Sequence, residues 1–161
     1  MKKNFSKNKK IPAGLYKKIV SLMPICCVDL VFWSRSKVYL FKRAYAPAKN
    51  EWWIIGGRIL KGEKIKDAVA RKAKEEIGVD IKIRKMIGVY EAFFGTNRFD
   101  TKTEKSGAHS ISLCFLVESK EKRFKLILNG EYKDHKAISR IDKNLHPLIQ
   151  TVLEDSGVIK K

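Results

Sequence analysis

The chain has 161 residues, 44% of them hydrophobic and 10% aromatic, which is enough apolar material for one folded domain and too much for a disordered one. Its 35 Lys and Arg against 17 Asp and Glu leave a formal charge of +18, which points to acidic partners (nucleotides, nucleotide sugars or RNA), although a lysine bias serving solubility gives the same number. Three cysteines, two of them adjacent at Cys26 and Cys27, exclude a disulfide framework and suit a reducing cytoplasm, and no stretch approaches the ~20 apolar residues of a membrane-spanning helix.

Residues 1–14 read as a basic N-terminal tail. Lysines before the apolar run 19–28 could suggest a signal peptide, but Pro24 interrupts that run, Asp29 follows at once, and no small-residue cleavage site appears. Leu15 to Met23 is predicted as a short helix with Leu15, Ile19 and Leu22 on one face, stopped by Pro24. Ile25 to Trp33 reads as a strand covered on both faces, and the thiols of Cys26, Cys27 and Cys114 as small hydrophobes within apolar runs. A turn at Ser34-Arg35-Ser36 leads into an alternating strand, Lys37 to Arg43, and then a loop, Ala44 to Glu51. Trp52 to Ile59 is predicted as one strand, which sends Trp52 and Trp53 to opposite sides. At least one of the two is core, and the other offers a face for stacking on a base.

A double glycine and a short turn then precede a helix from about Asp67 to Ile77. Asp67 serves as its N-cap or first-turn acid, Val69, Ala73 and Ile77 form its apolar stripe, and Gly78 ends it. Glu75 and Glu76 lie beside the stripe at the helix C-terminal end, where they repel each other and the helix dipole. That pair needs a compensating cation, and magnesium suits it. Val79 to Phe94 is β-rich with a bend or bulge at Gly88, and 95–107 is a polar loop too long for a hairpin turn. His109 to Glu118 and Phe124 to Leu128 read as strands, and 130–137 as a loop running into a strand. His146-Pro147 opens a last helix with Leu148, Ile149, Val152 and Leu153 on its apolar face; Gly157 ends it, leaving 158–161 as a C-terminal tail.

Residues 56–79 resemble the signature of the Nudix hydrolases, G-x5-E-x7-R-E-U-x-E-E-x-G-U, with U a bulky aliphatic. Gly57, Glu63, Arg71, Glu75, Glu76, Gly78 and Val79 fall on its places, while Lys72 stands at the glutamate after the arginine and Ala73 at the next aliphatic. The resemblance implies an α/β fold, the Nudix α/β/α sandwich with a mixed central sheet, as a single domain over 15–157. It also implies magnesium-dependent hydrolysis of a nucleoside diphosphate linked to another moiety, with manganese as a substitute. Over roughly 15–140 the chain is further similar to the GDP-mannose mannosyl hydrolase branch. This likeness rests on Cys-Cys-Val-Asp29-Leu-Val, Lys42-Arg43, Ala46-Pro47-Ala48, Trp52 and Gly56-Gly57-Arg58. It implies active-site roles for Asp29, Arg43, Arg58 and Arg71, a metal-binding Glu76 and a homodimer. The branch shares the departure at Lys72 but has lost the glutamate kept here as Glu75. Its general-base histidine falls at Tyr132 and a second histidine at Ala92, and Ile55 stands where a proline often precedes the double glycine.

The candidate site is therefore catalytic Asp29, Arg43, Arg71 and Glu131, substrate-binding Arg43, Arg58 and Trp52, and metal-binding Glu76, Glu75 and Gly56. Arginine forks suit a diphosphate. An aspartate inside an apolar run is costly unless a cation or arginine partners it. Arg71 equally fits a structural pair with Glu63 or Glu75, and Glu63 either completes a second metal shell or only holds Arg71. Lys72 is either a surface lysine or an ammonium beside Glu75 or Glu76 that replaces a second metal ion. His109 and His135 are minor candidates for proton transfer, and His146 hardly one. The leading reading is a hydrolase of a nucleoside diphosphate-sugar, GDP-mannose to GDP and mannose foremost, with attack at carbon or phosphorus left open. The alternatives are a pyrophosphohydrolase of RNA 5′ ends or nucleoside triphosphates, and a non-catalytic Nudix domain binding nucleotide or RNA. The long likeness to the sugar-nucleotide branch disfavours RNA, and no membrane partner is expected.

Overall fold

Apolar alternation on both sides of the turn at Arg35 and Ser36 builds the first two strands, β1 (Ile25–Ser34) and β2 (Lys37–Arg43), into an antiparallel hairpin. Both turn residues have positive φ, which matches the right-handed twist of a two-residue hairpin turn. The computed structural model describes residues 11–160, so ten of the fourteen residues assigned to the basic tail lie outside the described residues. Within the described part, helix α1 (Ala13–Leu22) comes before β1. After β2 follow β3 (Trp52–Trp53), β4 (Ile55–Arg58), α2 (Ile65–Ile77), β5 (Ile81–Phe94), β6 (Ala108–Ser119), β7 (Tyr132–Ile138) and α3 (Pro147–Ser156).

The strands form one mixed sheet in the order β3-β2-β1-β6-β5, with β4 paired to β1 and β7 to β2. β1 runs parallel to β6 and antiparallel to β2 and β4. Its alternate side chains face two separate cores. Val28, Leu30 and Phe32 pack with Val69, Ala73 and Ile77 of α2, whereas Val31 packs with Ile149, Val152 and Leu153 of α3. The sheet is thus covered by a helix on each face, an α/β/α arrangement whose strand faces are apolar because both are buried.

Several elements differ from their sequence reading. The predicted strand 52–59 is two, because the chain changes partner at buried Ile54: Trp52 and Trp53 pair with β2, and Ile55 to Arg58 pair with β1. Residues 124–128 form no strand. Phe124, Leu126 and Leu128 alternate onto the core, but the backbone partner is a helix end, with Ile127 N–H donating to Ile77 carbonyl at 3.0 Å and Asn129 N–H to Glu76 carbonyl at 3.2 Å. These bonds satisfy carbonyls that the last turn of α2 leaves open. Gly78 ends α2 in the left-handed region at φ 73°, and the register of β5 against β6 shifts beside Gly88. Helix α1 starts at Ala13, two residues early, and two residues of its expected apolar face stay in solvent, Leu15 53% and Leu22 70% exposed, while Ile19 is half-buried. Residues 158–160 are not a tail, since Ile159 is buried and Ile141 N–H donates to Lys160 carbonyl at 2.9 Å. Cys26 is exposed rather than packed, while Cys27 is half-buried and Cys114 buried. No helix among the described residues is long and apolar enough to cross a membrane.

Candidate active site

Where β4 leaves β1 and α2 begins, the fold encloses a cavity of about 650 Å³. Asp29 lies on its wall because β1 alternates: its neighbours Val28 and Leu30 enter the core, so Asp29 and Cys27 face the other way. Ser112 of β6 joins that face beside Cys27 and hydrogen-bonds the Asp29 carboxyl. Burial raises this carboxyl from 3.8 to about 6, against the lowering effects of the Ser112 bond and the Arg43 guanidinium. Gly56 is required opposite it, since a Cβ there would come within 1.9 Å of Asp29 Oδ1 and 2.5 Å of Val28 carbonyl.

One turn into the C-terminal half of α2, Glu76 is 2% exposed. A buried carboxylate is stable only if hydrogen-bonded. Three protein groups serve it: Lys72 Nζ forms an ion pair with Oε1, and the Tyr132 hydroxyl (2.7 Å) and Gly56 N–H (3.1 Å) donate to Oε2. Tyr132 is itself buried, and burial followed by the negative charge of Glu76 pushes its hydroxyl well above the usual tyrosine range. Glu75 is half exposed and lies 3.0 Å from Arg71 Nη1 and 3.8 Å from Lys72 Nζ.

Arg71 acts as a strut. Its Nε and Nη2 donate to Glu63 at 2.6 and 2.9 Å, Nη2 also donates to Arg58 carbonyl, and Nη1 donates to Glu75. Every guanidinium nitrogen therefore has a protein partner, an arrangement that fits the pairing alternative better than diphosphate contact. Glu63 holds Arg71 and accepts from Leu60 N–H, and the Arg71 bonds keep its carboxyl below the ordinary range.

The remaining arginines are freer. Arg43 spends only Nε on Pro47 carbonyl, at 2.7 Å. Arg58 lies over the Tyr16 ring at 4.4 Å, and its buried Nη1 has no hydrogen-bond partner. Arg98, from the 95–107 loop, donates to Glu131 at 2.8 Å across the cavity mouth. His109 also lines the cavity; its ring stacks on Phe93, and its buried Nε2 lies 3.7 Å from Glu91, too far for a hydrogen bond. Arg58 Nη1 and His109 Nε2 are thus two buried nitrogens without a hydrogen-bond partner, on residues that both line the cavity.

Trp52 is not among the lining residues; it lies beneath Lys42 and Lys136, whereas Trp53 reaches the cavity from the buried side. The stacking face expected of Trp52 thus points away from the site, as strand alternation dictates. His135 stacks on Phe41 outside the cavity, and His146 caps α3 by accepting from Leu148 N–H. Ala92 is buried on the cavity wall. Sequence reasoning missed Ser112, Arg98 and the aromatic pair Tyr16 and Phe99, whose rings meet edge to face at 5.7 Å. Only Ser110 and Ser112, alternating as polar residues inside an apolar strand, carried a readable signal.

The expected metal set does not fit the side chains as they stand. Both oxygens of Glu76 are already bonded to protein donors, the Gly56 amide faces the same carboxylate, and Glu75 turns toward Arg71 and Lys72. Among the described residues, no three His, Cys, Asp or Glu side chains converge to hold an ion.

Residues 25–150 match the model of the NUDIX domain family. The chain is 30% identical over 145 residues to the low-salt glycan biosynthesis protein Agl8 of Haloferax volcanii, covering 90% of each chain. It is 28% identical over 131 residues to an ADP-ribose pyrophosphatase of Methanocaldococcus jannaschii, covering 81% of this chain and 68% of that one. The crystal structure of a MutT NUDIX hydrolase from Burkholderia pseudomallei superposes with a TM-score of 0.65 at 18% identity, over 83% of this chain and 98% of that one.

Proposed function

The chain belongs to the Nudix hydrolase family, and on that premise we propose that it hydrolyses a nucleoside diphosphate-sugar, with a GDP-mannose-like compound as the leading substrate. The carrying observation is the cavity itself: Arg43, which spends only Nε on the protein, Arg58 and the half-buried acid Asp29 line it together. One relative is named for glycan biosynthesis and another for ADP-ribose, itself a nucleoside diphosphate joined to a sugar.

In this reading Arg43 and Arg58 hold the diphosphate by paired N–H donors, and Tyr16 and Phe99 border the part of the ligand beyond it. Asp29 takes the proton of the attacking water, because a carboxyl with a value near 6 is an effective base at neutral pH. Water attacking the anomeric carbon breaks the sugar–oxygen bond and releases GDP and free sugar; attack at phosphorus releases GMP and sugar phosphate. Nudix hydrolases generally use divalent metals such as magnesium, so the assay contains magnesium or manganese.

The test is a panel of nucleotide sugars, nucleoside triphosphates and 5′-triphosphorylated RNA, in ¹⁸O water, with products identified by mass. GDP with labelled mannose is the expected result. Turnover confined to triphosphates or RNA ends would replace this reading with the pyrophosphohydrolase one, and tight nucleotide binding with no turnover would replace it with the non-catalytic one.

A further inference from the structure

Lys72 in α2, which departs from the general signature, and Tyr132 in β7, which stands where the resembling branch has a histidine, are far apart in sequence yet meet on one carboxylate. Lys72 takes one oxygen of Glu76 and Tyr132 the other, where the Gly56 amide joins it. The lysine is built in rather than draped over the surface. Its side chain is 14% exposed and lies against Gly57, where a Cβ would sit 3.0 Å from Cε and 3.2 Å from Nζ. A Cβ at that position would make the end of the lysine give way by a few tenths of an ångström. Glu75, at 3.8 Å, adds a second negative charge to the same ammonium.

Adjacent carboxylates in the last turn of a helix need a positive charge, and here the helix supplies one from its own preceding turn. An ammonium and a magnesium ion on the same carboxylate oxygen exclude each other by charge and by space. We infer that Lys72 is the resident cation of this site, standing in for a carboxylate-bound divalent ion, so that the free protein holds no such ion tightly at Glu76 and Glu75. The inference concerns metal binding by the nucleotide-free protein and does not depend on which nucleotide is hydrolysed.

The experiment is titration of the full chain with Mn2+, counting bound ions by electron paramagnetic resonance without nucleotide. Wild type is expected to show no tight site. Lys72→Glu and Lys72→Met, each checked for folding by circular dichroism, are expected to bind Mn2+ about tenfold or more tightly, with Lys72→Glu the stronger. Adding Glu76→Gln to either variant is expected to abolish the gain. A wild-type protein that itself shows a tight Mn2+ site without nucleotide overturns the inference whether or not the variants fold. So does a folded Lys72→Met with unchanged affinity. Because no turnover is read, failure here leaves the substrate assignment untouched, and failure of the substrate panel leaves this result standing.

Discussion

Asp29 works against the stability of the fold that holds it. Its carboxyl is raised from 3.8 to about 6, chiefly by burial, so the folded protein prefers the neutral acid. Below pH ~4 both states are protonated and there is no cost; as pH rises toward 6 the unfolded chain ionises first, and stability falls by on the order of 3 kcal/mol before levelling off. Asp29→Asn is therefore expected to raise Tm at pH 8, to lose that advantage near pH 4, and to abolish hydrolysis. Glu63 shows the opposite sign. Arg71 keeps its carboxyl low, so its contribution is present above the ordinary value of 4.5 and fades as pH falls through the depressed one. Glu63→Gln is expected to cost about 2 kcal/mol in urea unfolding at pH 7, shrinking toward acid pH. Arg71, Glu63, Glu75 and Glu76 were legible in the sequence because one helix and its leading turn hold them at fixed spacing. The bonds Tyr132 to Glu76, Arg98 to Glu131 and Ser112 to Asp29 were not, since each joins residues of different elements whose approach the sheet register decides.

Element by element, helices and caps were more readable than strand partners. The stripe Val69, Ala73, Ile77 with Gly78 after it located α2 to within two residues, since period and cap are local signals. The break at Ile54 was invisible because Trp-Trp-Ile-Ile is strand-like throughout, and only the presence of both β2 and β1 makes the chain switch ladders. Likewise 124–128 has strand alternation, but a helix end takes up its amides. The close approach of β4 to β1 gives a sharp test. Gly56→Ala inserts a methyl group 2.5 Å from Val28 carbonyl, a backbone atom that cannot turn aside. It is expected to cost about 3 kcal/mol or more in urea unfolding, a loss that Asp29→Ala does not rescue because the backbone clash remains.

At the scale of the whole molecule, the chain carries 35 basic residues against 17 acidic ones, and the cavity lining sets Arg43, Arg58, Arg71, Arg98 and Lys72 against Asp29, Glu75, Glu76 and Glu131. Such a field draws anionic ligands inward over distances comparable to the screening length of the solution. Between ~50 and ~500 mM NaCl, kcat/KM for the nucleotide sugar is expected to fall by roughly tenfold while kcat changes little. A salt-independent kcat/KM would assign the charge to solubility alone.

Helix α1 lends Tyr16 to the cavity wall yet buries none of its own residues. It is tied down by the Tyr16–Phe99 ring contact, the stack under Arg58 and an exposed ion pair from Lys17 to Glu104. A segment fastened so lightly detaches long before the sheet does. Its amide protons should therefore trade with deuterated solvent orders of magnitude sooner than those of α2 or β1, and should slow when the cavity is filled.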